Sequence, residues 1–217
     1  MNVIEVKQEL YNESNPEMTR ISERLDMHGT GYPIDIINWE DFSYKPEVRF
    51  NIGYSRSEIF LKYYIKEDYF KADKTESNQM VCEDSCVEFF VSPSSDGIYY
   101  NIEFNAIGTC MLGYGTGMED RTHAPSDVIS KIRKLTSPVI EPEKGNEKKY
   151  MWTLTLAIPL EVFFHHDITD LKEKEFRANF YKCGDKVEIP HYLTWNPVST
   201  LKPDYHQPEY FGLLKFI

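Results

Sequence analysis

The chain has 217 residues, and its 35 Asp and Glu against 24 Lys and Arg give a formal net charge of -11 at pH 7. This balance argues against nucleic-acid binding, because neutralising phosphates requires clustered Lys and Arg in excess. No apolar run approaches the roughly 20 residues that cross a bilayer, and the first residues lack an apolar signal segment. We therefore expect no transmembrane segment, and a cytoplasmic location by default, or a secreted or periplasmic one if a signal was removed.

The order of elements along the chain predicts a single sandwich of strands. Residues 1–31 are polar and are predicted to form an N-terminal strand and loop packed on a domain that spans residues 32–217. From Pro46 onward, apolar and polar residues alternate in successive short runs, which is typical of half-buried strands. Four runs show the pattern, and their apolar positions are Val48 to Ile52, Ile59 to Ile65, Trp152 to Ile158 and Phe176 to Phe180.

This pattern predicts an all-β fold, namely a two-sheet antiparallel β-sandwich of the jelly-roll-like kind with one or two short helices. One helix is expected from Asp127 to Leu135, with Ser126 as its cap. Residues 141–149 are charged and contain a glycine, which predicts an exposed hairpin loop.

Two of the predicted strands carry acids within the alternation. In one of them Val87 and Phe89 flank Glu88, and in the next Ile102 and Phe104 flank Glu103. Successive side chains of a strand point to opposite faces, so the apolar residues are expected to face the core. Glu88 and Glu103 would then lie on an exposed face, where they could form a polar floor for a ligand.

Three ordered motifs give the chain a specific resemblance. They are Glu83 to Pro93, with the letters EDSCVEFFVSP; Tyr99 to Thr109, with the letters YYNIEFNAIGT; and Tyr205 to Gly212, with the letters YHQPEYFG. In this order they resemble the family 9 carbohydrate-binding modules and their bacterial relatives, over Tyr32 to Ile217. The resemblance implies a β-sandwich with a sugar site on one side, no catalytic activity and a structural calcium ion.

The resemblance also implies roles for particular positions. The buried glutamate of the family falls at Glu88, whereas its sugar-binding arginine falls at Asn101. The two tryptophans that sandwich a sugar in that family fall at Cys82 and Tyr205, so a single aromatic wall remains. The family's ligand is the reducing end of a plant polysaccharide, and three of the positions that bind it carry other residues here.

Sugar binding requires flat aromatic surfaces together with groups that hydrogen-bond vicinal hydroxyls, and the predicted strand faces and loops offer both. Tyr205 lies in a loop between Pro203 and Pro208, where exposure is expected. Trp195 is expected either in the core or at the rim of the sandwich. The competing interpretation of the same polar positions is an ordinary solvated sheet face. The predicted carbohydrate-binding residues are Glu88, Asn101, Glu103, Arg177, Trp195 and Tyr205.

Two other functions stay open on the sequence. A glycoside hydrolase would need a pair of carboxylates drawn from Glu83, Asp84, Glu88 and Glu103. A haem site would need axial Met and His ligands, for which Met80, Met111 or Met118 with His123 are candidates. The six histidines show no metal-ligand spacing, and the four cysteines are expected to be free thiols because none forms a C-x-x-C pair.

Overall fold

The structure, a computed structural model, describes residues 1–9, 11, 15–139 and 149–217. Within these residues the chain forms 14 strands and two helices, and the strands belong to two sheets. The sheets pack face to face, so the predicted all-β sandwich is confirmed. The predicted hairpin loop at 141–149 lies almost wholly outside the described residues. Neither helix among the described residues has the length and apolar character of a membrane span.

The larger sheet carries nine of the described strands. All of its pairings are antiparallel except that between the first and the last strand of the chain. Numbered along the chain, its main path is β1 (Val3–Val6), β14 (Gly212–Phe216), β12 (Glu175–Gly184), β6 (Cys86–Ser92), β7 (Tyr99–Asn105), β8 (Cys110–Gly115) and β9 (Thr122–His123). Two short strands lie off this path: β13 (His191–Thr194) pairs with β12, and β3 (Ile36–Ile37) pairs with β13.

The smaller sheet carries five of the described strands, all antiparallel. Their order is β10 (Arg133–Thr136), β11 (Tyr150–Pro159), β5 (Glu58–Glu67), β4 (Glu47–Tyr54) and β2 (Tyr32–Pro33). The long central strands β4, β5, β11 and β12 coincide with the four alternating runs of the sequence.

Apolar side chains from both sheets meet in the sandwich core. Phe50 on β4 stacks on Phe180 on β12, with 3.8 Å between ring centroids, and Phe180 in turn stacks on Phe89 on β6 at 5.0 Å. Trp195 meets Phe50 and Phe180 edge-on, and it is 5% exposed. Of the two positions expected for Trp195, the structure shows the core.

The helices differ from the prediction in place and length. Helix α1 (Met18–His28) falls within the segment that was predicted as strand and loop, so that part of the prediction is wrong. It buries Ile21 and Leu25 against Phe60 on the outer side of the smaller sheet. Helix α2 (Ser126–Ile129) is shorter than the predicted helix, because the chain then enters β10 and pairs with β11.

A second apolar layer covers the outer face of the larger sheet. Phe90, Tyr99 and Tyr181 project from its strands and pack against residues of the loops that cross it. This outer layer comprises, among others, Trp39, Val81, Phe90, Tyr99, Tyr181, Val198, Tyr205 and Phe211. Consequently Glu88 and Glu103 are only 3% and 2% exposed, and the expectation that they lie on a solvent-exposed face is wrong.

Candidate functional site

A small pocket opens between the outer face of the larger sheet and the loops of the outer layer. Its volume is about 160 Å³. Four carboxylic acids contribute to its lining, namely Glu88, Glu103, Asp185 and Asp204, and we call it the carboxyl pocket. The other lining residues are aromatic, sulfur-containing or neutral: Met80, Cys82, Phe90, Met111, Met118, Cys183, Tyr192, Pro203, Tyr205 and His206.

Strand pairing places two of the acids side by side. Glu88 on β6 and Glu103 on β7 are register partners, so their side chains leave the sheet on the same face. Alternation along β6 sends Val87 and Phe89 into the sandwich core, which leaves Glu88 on the side of the outer layer. Directly opposed residues of antiparallel strands have Cβ atoms about 4.5–5.5 Å apart, so the two carboxyls form one wall of the pocket.

Their hydrogen bonds are incomplete. The thiol of Cys183 donates to Oε1 of Glu88 at 2.9 Å, and the amide of Asn101 donates to Oε1 of Glu103 at 2.8 Å. The second carboxyl oxygen of Glu103, Oε2, is buried and has no hydrogen-bond partner. A buried polar atom without a partner is destabilising, so a ligand that donates to this oxygen would gain affinity from it.

Burial raises the pKa of three of these acids. The pKa of Glu88 lies well above its usual range, because burial and then the neighbouring charge of Glu103 disfavour the carboxylate. Burial is also the main cause that raises the pKa of Glu103 to about 7 and that of Asp185 to about 6. The carboxyl pocket therefore contains acids that exchange protons near neutral pH.

Tyr205 forms an aromatic wall of the pocket from a buried position. It is 8% exposed, which corrects the expectation of an exposed loop residue. Its ring stacks on that of Tyr181, with 4.0 Å between centroids and 9° between planes, and its hydroxyl donates to the carbonyl of Lys182 at 3.1 Å. The loop between Pro203 and Pro208 thus folds onto the sheet, and only part of Tyr205 faces the pocket.

The structure separates two of the predicted site residues from this pocket. Trp195 lies in the sandwich core, and the exposed Arg177 donates to the carbonyls of Phe211 at 2.6 Å and Glu209 at 3.1 Å. Neither lines the carboxyl pocket. Asn101 does not line it either, but it touches the site by holding Glu103. Of the six predicted residues, the pocket therefore brings together Glu88, Glu103 and Tyr205.

Arg121 is a part of the site that sequence reasoning missed. It follows a glycine-containing turn and belongs to no alternating run. Its guanidinium donates to Oδ1 of Asn101 and to the carbonyls of Tyr99 and Gly115, each carbonyl at 3.1 Å. A guanidinium from another segment of the chain thus lies beside Asn101.

Among the described residues, one buried group brings three His, Cys, Asp or Glu ligand atoms together. Cys86, Glu88 and Cys183 present ligand atoms within 4.8 Å of one another. Two sulfurs and one carboxylate suit a soft or borderline cation, whereas calcium takes six to eight oxygens. Met80, Met111 and Met118 line the pocket without His123, so the proposed haem pairing is not assembled there.

A larger groove of about 890 Å³ crosses the outer side of the smaller sheet. Its charged groups already have partners: Lys66 pairs with Glu47 at 3.3 Å, and the Arg49 guanidinium lies 3.6 Å from the centroid of the Tyr64 ring. None of its lining residues carries a buried polar atom without a partner. The carboxyl pocket, which has such an atom, is therefore the better candidate site.

The comparisons of this chain with known proteins agree on one family. The family model for "Carbohydrate-binding family 9" matches residues 21–216. A crystal structure of a Bacteroides uniformis protein to which carbohydrate binding is attributed shares 38% sequence identity, with a TM-score of 0.91 and 99% of each chain covered. A search of the curated proteins found no match.

Two more distant structures share the fold at 8% identity. Both are family 9 carbohydrate-binding modules from Caldicellulosiruptor kristjanssonii. The complex with glucose has a TM-score of 0.64 and covers 100% of this chain and 96% of the module. The complex with cellotriose has a TM-score of 0.62, with 99% and 93% covered.

Proposed function

The chain belongs to carbohydrate-binding family 9, and we propose that it binds a single sugar residue in the carboxyl pocket without catalysing a reaction. Non-catalytic carbohydrate binding is the activity that the family and its structural neighbours support. The assignment of this pocket, and of Glu88, Glu103 and Tyr205 as its ligand contacts, is our proposal. One observation carries it: the convergence of buried carboxyls and one aromatic wall on a small cavity.

The size and chemistry of the pocket suit one sugar ring. Its volume of about 160 Å³ limits it to a small ligand. Tyr205 offers an apolar surface to ring C–H groups, while Glu88 and Glu103 offer acceptors to hydroxyl groups. Protonated carboxyls can also donate, so one pair of acids can serve hydroxyls in both roles.

The arrangement of the acids argues against the hydrolase alternative. The carboxylates of a glycoside hydrolase flank the scissile bond, so a substrate must lie between them. Glu88 and Glu103 are neighbours on adjacent strands of one sheet and form a single wall. Such a pair can hold hydroxyls on one side of a sugar but cannot act on two sides of a bond.

Titration calorimetry with a panel of monosaccharides and short glucose oligomers tests this function. We expect Glu88→Gln to weaken binding up to about tenfold, because a hydrogen bond between neutral groups contributes roughly 0.5–1.5 kcal/mol. The matched control is Glu175→Gln, which makes the same substitution at an exposed position on β12 that pairs with Lys215. Equal affinities of parent and Glu88→Gln would place the sugar elsewhere.

The absence of catalysis needs its own assay. We expect no turnover with a panel of aryl glycosides. Turnover that is lost in both Glu88→Gln and Glu103→Gln would contradict the binding-only assignment.

The structural calcium ion that the resemblance implies stays a prediction. We expect the melting temperature to fall when calcium is removed with a chelator and to recover when it is returned. An unchanged melting temperature would show that this chain folds without the ion.

A further inference from the structure

The charge of the carboxyl pocket is unbalanced. Four of its lining residues are carboxylic acids, and none is Lys or Arg. The one imidazole in the lining is that of His206, and burial lowers its pKa to about 4, so it carries no charge near neutral pH. A ligand in this pocket therefore meets acceptors and negative charge without a lining cation.

Two basic residues next to lining residues in the sequence are engaged elsewhere. The ammonium of Lys182 lies 2.8 Å from Oε2 of Glu67 and is wholly buried, so it faces away from the pocket. Lys186 is 64% exposed and pairs with Glu83 at 2.6 Å. Neither of these two side chains therefore forms an ion pair with an acid of the pocket.

Arg121 is a third cation near the acids. Its charge lowers the pKa of Glu103 only as the smallest of the contributing causes. Its terminal nitrogens are taken up by Asn101 and by two backbone carbonyls, so Asn101 lies between the guanidinium and Glu103. Arg121 therefore orders the wall of the pocket, while the carboxyl of Glu103 keeps one oxygen free.

That free oxygen points to the kind of group a ligand would bring. Oε2 of Glu103 is buried, has no hydrogen-bond partner and belongs to a residue that is 2% exposed. An ammonium group carries three donors and a positive charge, and its attraction to a carboxylate grows as the local dielectric falls. A hydroxyl supplies one donor and no charge.

We propose that the carboxyl pocket selects an amino sugar, in which a protonated amine replaces one hydroxyl, and that Glu103 accepts a hydrogen bond from the ammonium. This inference rests on the proposed sugar-binding function and adds the chemical class of the sugar. Binding of the cation stabilises the charged form of the neighbouring acids, so it releases protons to solvent. A neutral sugar of the same shape has no such effect.

Calorimetry with three related sugars tests the selection. Glucose and glucosamine differ at one substituent, and N-acetylglucosamine keeps the nitrogen without its charge. At a pH that keeps the amine protonated, we expect glucosamine to bind at least tenfold more tightly than the other two. We expect Glu103→Gln to reduce the affinity for glucosamine to that for glucose, whereas Glu175→Gln should preserve the preference.

A second measurement works on the unaltered protein. Titrations in two buffers with different ionisation enthalpies report the protons exchanged on binding. We expect proton release with glucosamine and none with glucose, and equal proton exchange would contradict the inference.

The possible failures are distinguishable. Equal affinity for glucose and glucosamine contradicts the selection but leaves the proposed function intact. A preference that survives in a folded Glu103→Gln protein contradicts the role of Glu103. No binding of any of the three sugars, or of the wider panel, contradicts the proposed function and this inference with it.

Discussion

Lys182 and Glu67 form an ion pair at 2.8 Å in which neither side chain is exposed to solvent. Lys182 comes from the larger sheet and Glu67 from the smaller one, so the pair joins the two halves of the sandwich. Each partner is also held by a neutral group. Trp152 donates its indole N–H to Glu67 at 2.7 Å, and His191 accepts from Lys182 at 2.9 Å. Burial and the Lys182 charge lower the pKa of His191 to about 3, so it stays neutral.

Replacing one partner of this ion pair should destabilise the fold strongly. Lys182→Met leaves a buried carboxylate without its counter-charge, and the expected loss is about 3–5 kcal/mol in the free energy of unfolding. Urea denaturation measures this loss. The control is Lys215→Met, which removes one half of an exposed pair with Glu175 and should cost at most about 1 kcal/mol. Similar losses in both variants would show that burial does not set the strength of the pair.

Glu103 should make the stability of the protein depend on pH. Its pKa is raised from 4.5 to about 7 in the folded state, so the folded protein retains a proton that the unfolded chain releases. The raised pKa therefore lowers the free energy of unfolding as the pH rises from about 4.5 to about 7, and this loss of stability is complete above pH 7. We expect Glu103→Gln to be more stable than the parent at pH 8 and similar to it near pH 4.

Denaturation at a series of pH values gives this difference directly. The expected gain at pH 8 is on the order of 3 kcal/mol, because one pKa unit corresponds to about 1.4 kcal/mol. Glu175→Gln serves again as the exposed control. A difference between Glu103→Gln and the parent that is constant with pH would mean that the Glu103 carboxyl titrates normally.

Trp195 and Arg177 should matter for the fold and not for the ligand. Trp195→Phe removes ring volume from the sandwich core and should cost about 1–3 kcal/mol in stability. Arg177→Met removes the hydrogen bonds to the carbonyls of Phe211 and Glu209. Because neither residue lines the carboxyl pocket, sugar affinity measured by calorimetry should be unchanged in both variants. A selective loss of affinity in either would extend the site beyond the pocket.

Gly212 lies against the Trp195 ring, so a side chain at this position should not be tolerated. A Cβ there would collide with the indole ring and would lie 2.8 Å from the carbonyl oxygen of Asn2. Gly212→Ala should therefore lower the free energy of unfolding by about 1–3 kcal/mol through overpacking. At Gly117 the nearest atom to a new Cβ is 3.7 Å away, and Gly117→Ala should leave the melting temperature unchanged.

The sequence predicts the strands well because alternation is a local signal. The residue pattern of β4, β5, β11 and β12 records which face meets the sandwich core. Helix α1 has a weaker local signal, since only Ile21 and Leu25, four residues apart, are buried in it. Two apolar residues at helical spacing, among many polar ones, are too few to indicate an amphipathic helix clearly.

The chemical state of the site depends on contacts between distant parts of the chain. Alternation shows that Glu88 and Phe89 face opposite ways, but it does not show what covers the face of Glu88. Tyr205, 117 residues later, is part of the layer that buries it. The same loop carries two prolines, which favours exposure by local rules, and its packing onto Tyr181 reverses that expectation. Family motifs therefore found three pocket residues, whereas burial and Arg121 required the fold.

Because β1 pairs in parallel with β14, the two ends of the chain must meet before folding is complete. Val3 pairs with Leu213 and Val6 with Phe216, so about 210 residues separate the partners. Closing a loop of this length is entropically costly, and pairings at large sequence separation form slowly. Until β1 arrives, β14 is an open sheet edge with unpaired backbone groups, which can recruit a strand from another molecule. Removal of residues 1–6 should therefore promote association between chains during refolding, even though the carboxyl pocket lies elsewhere on the sheet.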